Sequence, residues 1–73
     1  MPRLPRLSSR ETVKALERLG FVQVRQKGSH IVLKRESLTC VVPERRELRL
    51  GTLSGILDQA DLTVAEFLDA LRK

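Results

Sequence analysis

The 73-residue chain has no tryptophan, tyrosine or asparagine, two phenylalanines, one histidine and one cysteine. Each scarcity excludes something. Phe21 and Phe67 both fall in apolar stripes, so no aromatic is free to stack on nucleic-acid bases. A lone Cys40 excludes an internal disulfide and suits a reducing cytoplasm, the expected location. One histidine and one cysteine cannot complete a zinc site, so no metal and no cofactor is expected. Gly51-Thr52 and Gly55 do not make a phosphate-cradling glycine loop. No apolar run approaches a membrane span, and no membrane association is expected. A single domain of this size buries only about 60% of its unfolded surface, which leaves one modest core and no deep pocket. Any chemistry belongs on a surface.

What the chain does have is positive charge: 14 Lys and Arg against 9 Asp and Glu, a formal charge of +5 and a pI near 10.4. The charge is lopsided. Residues 1–49 carry twelve basic and five acidic side chains, net +7, whereas residues 50–73 carry two basic and four acidic, net −2. A polyanionic partner, most simply nucleic acid, is expected to meet the N-terminal two-thirds.

Residues 1–7, with Pro2, Pro5, Arg3 and Arg6, read as a flexible basic tail ahead of a single domain over 8–73. Ser8 and Glu11 have capping-box spacing, and Val13, Ala15, Leu16 and Leu19 form the apolar stripe of a helix that Gly20 ends. Arg10, Lys14 and Arg18 recur every four residues as a basic ridge. Its simplest reading, and the favoured one, is a solvated face partly paired with Glu11 and Glu17; the sharper reading is phosphate contact. Residues 21–27 and 30–35 read as strands around a Gly28-Ser29 turn, which sets Lys27 opposite His30 and Arg25 opposite Val32. Strict alternation then puts Arg25, Lys27, His30 and Lys34 on one face, and Val22, Val24, Ile31 and Leu33 on the other. After a turn at Glu36-Ser37, Leu38, Cys40 and Val42 join the apolar face, and Pro43 ends the third strand. Leu53, Ile56, Leu57 and Ala60 mark a second helix. Thr63 and Glu66 cap a third, with Val64, Phe67, Leu68 and Leu71 inward. The expected fold is α+β, in the order α-β-β-β-α-α, with helices on one face of a three-stranded antiparallel sheet.

The face left open holds the one imidazole among three cations. A neutral imidazole takes a proton from a hydroxyl and returns it later. RNA offers such a hydroxyl, the 2′-OH, beside the phosphate it attacks. That reaction passes through a cyclic phosphate and needs no metal, and DNA cannot undergo it. His30 is the candidate catalytic residue. Arg25, Lys27 and Lys34 are candidate phosphate-binding residues, and Gly28, which shapes the turn, and Ser29 complete the candidate RNA-binding set. Two other readings stand beside this one. The first is a non-catalytic RNA-binding module that grips RNA by shape. The second is an interaction protein that docks a partner on its open sheet face or edge strand.

Gly28-Ser29-His30-Ile31-Val32-Leu33, then Pro43, then the run Glu47-Leu48-Arg49-Leu50-Gly51-Thr52-Leu53-Ser54-Gly55-Ile56-Leu57-Asp58-Gln59-Ala60, then Glu66-Phe67, resemble HicA-type toxins in order and spacing. Ser9-Arg10-Glu11 and Gly20-Phe21 fit as well. The resemblance runs from about Ser8 to Leu68. It implies a fold like the double-stranded-RNA-binding domain. It also implies an mRNA-cleaving ribonuclease in a toxin–antitoxin pair, catalysis by the histidine that is His30 here, and a HicB-type antitoxin that blocks the site. The chain departs from the pattern at two places. Pro43-Glu44-Arg45-Arg46 stands where many members carry a further histidine, and Leu50 stands where many have proline.

Overall fold

A computed structural model describes residues 3–73 of the chain; Met1 and Pro2, the start of the expected tail, lie outside the described residues. The element order is α1 (Ser9–Arg18), β1 (Val22–Lys27), β2 (His30–Arg35), β3 (Leu38–Pro43), α2 (Leu50–Gln59) and α3 (Val64–Leu71). The three strands form one antiparallel sheet in the order β1-β2-β3. The α+β layout read from the sequence is the layout observed.

Local chemistry sets the helix ends. Ser8 Oγ accepts from the Glu11 amide at 3.1 Å, and Glu11 Oε1 accepts from the Ser8 amide at 3.0 Å. Thr63 and Glu66 repeat this reciprocal cap on α3, at 3.1 and 2.9 Å. Each box satisfies two backbone donors that a helix start otherwise leaves free. At the other end of α1, Gly20 adopts φ +97°, the Phe21 amide donates to the Leu16 carbonyl, and the Gly20 amide donates to the Glu17 carbonyl. This double closure turns the chain into β1 and tucks Phe21 under the sheet.

The core lies between the sheet and the helices. Leu16, Leu33, Cys40, Val42, Leu53 and Phe67 are all fully buried within it. Leu7 and Leu48 join them and pair as an isolated bridge, with the Leu48 amide donating to the Leu7 carbonyl at 2.7 Å. Leu7, counted with the tail by composition, therefore packs in the core at 7% exposure. Burial pushes the Cys40 thiol up to about 11, so this group stays protonated and inert at neutral pH.

One expectation fails. Val22 and Val24 are exposed at 62% and 50%, not buried. The β1–β2 register shifts between Gln23 and Arg25, so a bulge at Val24 adds one residue to the alternation. Beyond the bulge, Val22 pairs with Lys34 on the open face, and Gln23 pairs with Leu33 on the core side. β1 is an edge strand with every residue exposed, so nothing forces its apolar side chains inward.

Candidate nucleic-acid interface and active site

The hairpin forms where expected. Gly28 takes φ +59° and Ser29 does not take a positive φ, as a two-residue loop with glycine first requires. Lys27 pairs with His30, and Arg25 with Val32. On the other side of β2, His30 pairs with Pro43, Val32 with Val41, and Lys34 with Thr39. Directly opposed residues point the same way, so the open face has three rows. The first is Lys27–His30–Pro43, the second Arg25–Val32–Val41, and the third Val22–Lys34–Thr39.

These rows separate the predicted site residues. Lys27 stands beside His30, at the roughly 5 Å spacing of an opposed pair. Arg25 is diagonal to it, about 7–8 Å away. Lys34 is four residues further along β2, about 13 Å from His30, too far to hold the same phosphate. Valines lie between: a shallow depression lined by Val24, Arg25, Val32, Lys34 and Thr39 fills the middle of the face. The open face is thus a basic and imidazole-bearing end joined to an apolar centre, with Val32 opposite Arg25 as the sequence set it.

His30 is exposed, and its ring makes no hydrogen bond to another described side chain. The cations around it are also free. Among the described residues the one ion pair is Lys73 with Asp69, at 3.6 Å in α3 and its C-terminal end. Arg18 donates to the carbonyls of Ala70 and Leu71 at 3.0 and 3.4 Å, so it closes the C-terminal end of α3 and leaves the basic ridge. Arg35 donates to the Leu19 carbonyl at 2.7 Å and lies 4.9 Å from the Phe21 ring centre. Glu11 is committed to the cap, which holds its carboxyl below the usual glutamate range through the Ser8 amide and then the Ser8 hydroxyl. The ion pairs expected along α1 are therefore not formed, and Arg10 and Lys14 project unpaired.

The charged loop Glu44-Arg45-Arg46-Glu47 follows β3 at this end of the molecule. The segment after β3 is stitched on both sides. The Glu44 amide donates to the Ser29 carbonyl at 2.6 Å, inside the hairpin loop. Ser9 exchanges three hydrogen bonds with Arg45: its amide and hydroxyl donate to the Arg45 carbonyl at 3.0 and 3.1 Å, and its hydroxyl accepts from the Arg45 amide at 3.1 Å. Contacts 36 residues apart leave no periodic trace. The one available signal was a serine placed directly after a helix cap, on the first turn.

The chain is thus a small, basic α-β-β-β-α-α domain with a free imidazole and unpaired cations on its open sheet face. The model of the family described as the HicA toxin of bacterial toxin–antitoxin systems matches residues 9–62, and the chain belongs to that family. No curated protein matches the chain. Membership makes it the toxin component of such a pair and implies an antitoxin as its partner. No helix among the described residues is long and apolar enough to cross a membrane.

Proposed function

We propose that the protein is an endoribonuclease that cleaves mRNA in the cytoplasm, with His30 moving the proton of the attacking 2′-hydroxyl. The observation that supports this most is the placement of His30. Its ring is solvent-facing and unbonded, in one row with Lys27 at the closing pair of the hairpin. The imidazole accepts the 2′-OH proton as O2′ attacks phosphorus. The bond from phosphorus to O5′ then breaks, giving a 2′,3′-cyclic phosphate and a 5′-hydroxyl end. The departing O5′ takes a proton from water or from the Lys27 ammonium, the nearest proton donor in the row. Lys27 and Arg25 offset the charge that gathers on the phosphoryl oxygens. Gly28 and Ser29 set the loop that brings Lys27 and His30 together. Lys34 contacts the strand further along, not at the scissile phosphate. The reading needs no metal.

The same face suits the antitoxin, proposed here as HicB-type. Exposed Val22 and Val24 beside the cations offer an apolar patch with a basic rim, and a protein seated there covers His30.

The test is His30→Ala. The variant should keep its fold and most of its RNA affinity, and should lose about 10²–10⁴ in cleavage rate. Cleavage at the unaltered rate removes His30 from the mechanism. Salt-dependent binding with no cleavage by either protein leaves the non-catalytic RNA module as the better reading.

A further inference from the structure

Beyond the hairpin, five cations at one end of the molecule have no role in the chemistry above. Arg10 and Lys14 line a groove of about 320 Å³ between α1 and the underside of β1. Arg10 also borders the next depression, with Arg45 and Arg46. Arg45 in turn borders a third, with Arg49 and Thr52. The shared members make one continuous strip. All five side chains are exposed, and none forms an ion pair, although Glu17, Glu44 and Glu47 line the same depressions.

The strip is held rigidly. The three Ser9–Arg45 hydrogen bonds fix the loop to α1, and the Glu44–Ser29 bond fixes it to the loop that carries His30. Fixed backbone lowers the ordering cost of gripping an extended ligand. The exposed valines Val22 and Val24 lie on the sheet face, and exposed Leu50 lines a separate depression with Leu4 and Val64, so the strip lacks the apolar centre of a protein interface.

We infer that Arg10, Lys14, Arg45, Arg46 and Arg49 form a second phosphate track that holds the RNA strand away from the scissile bond. This deepens, and rests on, the ribonuclease reading. Strand that leaves the Lys27–His30 row runs onto the Glu44–Arg46 loop, and from there along α1 or toward α2. The preferred substrate is therefore a strand of many nucleotides, not a short fragment that fills the His30 row alone.

The test uses a 20-nucleotide strand of 2′-O-methyl RNA, which cannot be cleaved, with binding to the full chain followed by fluorescence anisotropy across a salt series. Against the wild type, R10Q/K14Q/R45Q/R46Q/R49Q should lose at least tenfold in affinity. Its slope of log affinity on log salt should be shallower by about 3.5, at roughly 0.7 per lost contact. R45Q/R46Q, whose backbone bonds to Ser9 remain, should lose about 1.4 of that slope and serves if the fivefold variant unfolds. Affinity and slope unchanged in a folded variant overturn the track. Unchanged RNA affinity with weakened antitoxin binding overturns it too and gives the strip to the protein partner. Loss of RNA affinity in a protein that never cleaves RNA sustains the track and sinks the ribonuclease reading alone.

Discussion

Single residues carry the conformational constraints of this domain. Gly28 has nothing within 4 Å of where a Cβ would stand, so its φ of +59° is the reason for glycine there, not crowding. Gly28→Ala should cost about 1–2 kcal/mol in unfolding free energy, and cleavage should fall with it as the Lys27–His30 pair loosens. Glu36 makes the opposite case: a glutamate at φ +54° in the β2–β3 turn. Glu36→Gly should raise stability by up to about 1 kcal/mol, since left-handed backbone costs a side-chain-bearing residue about that much. Denaturant melts read both, and an unchanged midpoint for Gly28→Ala would show that the turn tolerates a Cβ. Alternation read correctly which of His30, Ile31, Val32 and Leu33 face outward. It misassigned Val22 because a bulge without glycine leaves no mark in the sequence.

The elements are closed by local devices that are legible in the sequence. Both capping boxes, the Gly20 stop and the inward stripes of α1 and α2 lie where spacing put them. Local chemistry governs those features, and the sequence prints it directly. In contrast, Arg18 at the end of α3, Ser9 on Arg45, Gln59 on the free edge of β3 and the Leu7–Leu48 bridge join distant segments. Only the closed fold brings those groups together. The caps also set an acid response. Glu11 and Glu66 sit below the usual glutamate range, first because of the backbone hydrogen bonds to Ser8 and Thr63. A folded value below the unfolded one means the caps stabilise fully above the ordinary glutamate range. That stability fades as pH falls through the lowered values. Glu11→Gln with Glu66→Gln should flatten this part of the acid limb of a stability–pH curve, and an unchanged limb would show that other carboxylates govern it.

At the scale of the whole molecule, function divides by surface. The helices and the acidic C-terminal third seal one side of the sheet, and the other side and one end gather the unpaired cations. Val24, half-exposed in its bulge, is a surface position whose change should spare the fold. Val24→Asp should leave the melting midpoint within about 0.5 kcal/mol of wild type and weaken antitoxin binding tenfold or more in titration calorimetry. Wild-type affinity for the antitoxin would place the partner elsewhere.

The proposed chemistry turns on His30 acting on the 2′-hydroxyl of RNA. The most direct measurement is cleavage of one defined transcript by the purified wild type and by His30→Ala, with the product ends identified by mass. The wild type should leave 2′,3′-cyclic phosphate and 5′-hydroxyl ends and spare a substrate that is 2′-deoxy at the cleaved position, and His30→Ala should leave the transcript intact over the same period. Equal cleavage by the two proteins, or 5′-phosphate ends, would contradict it.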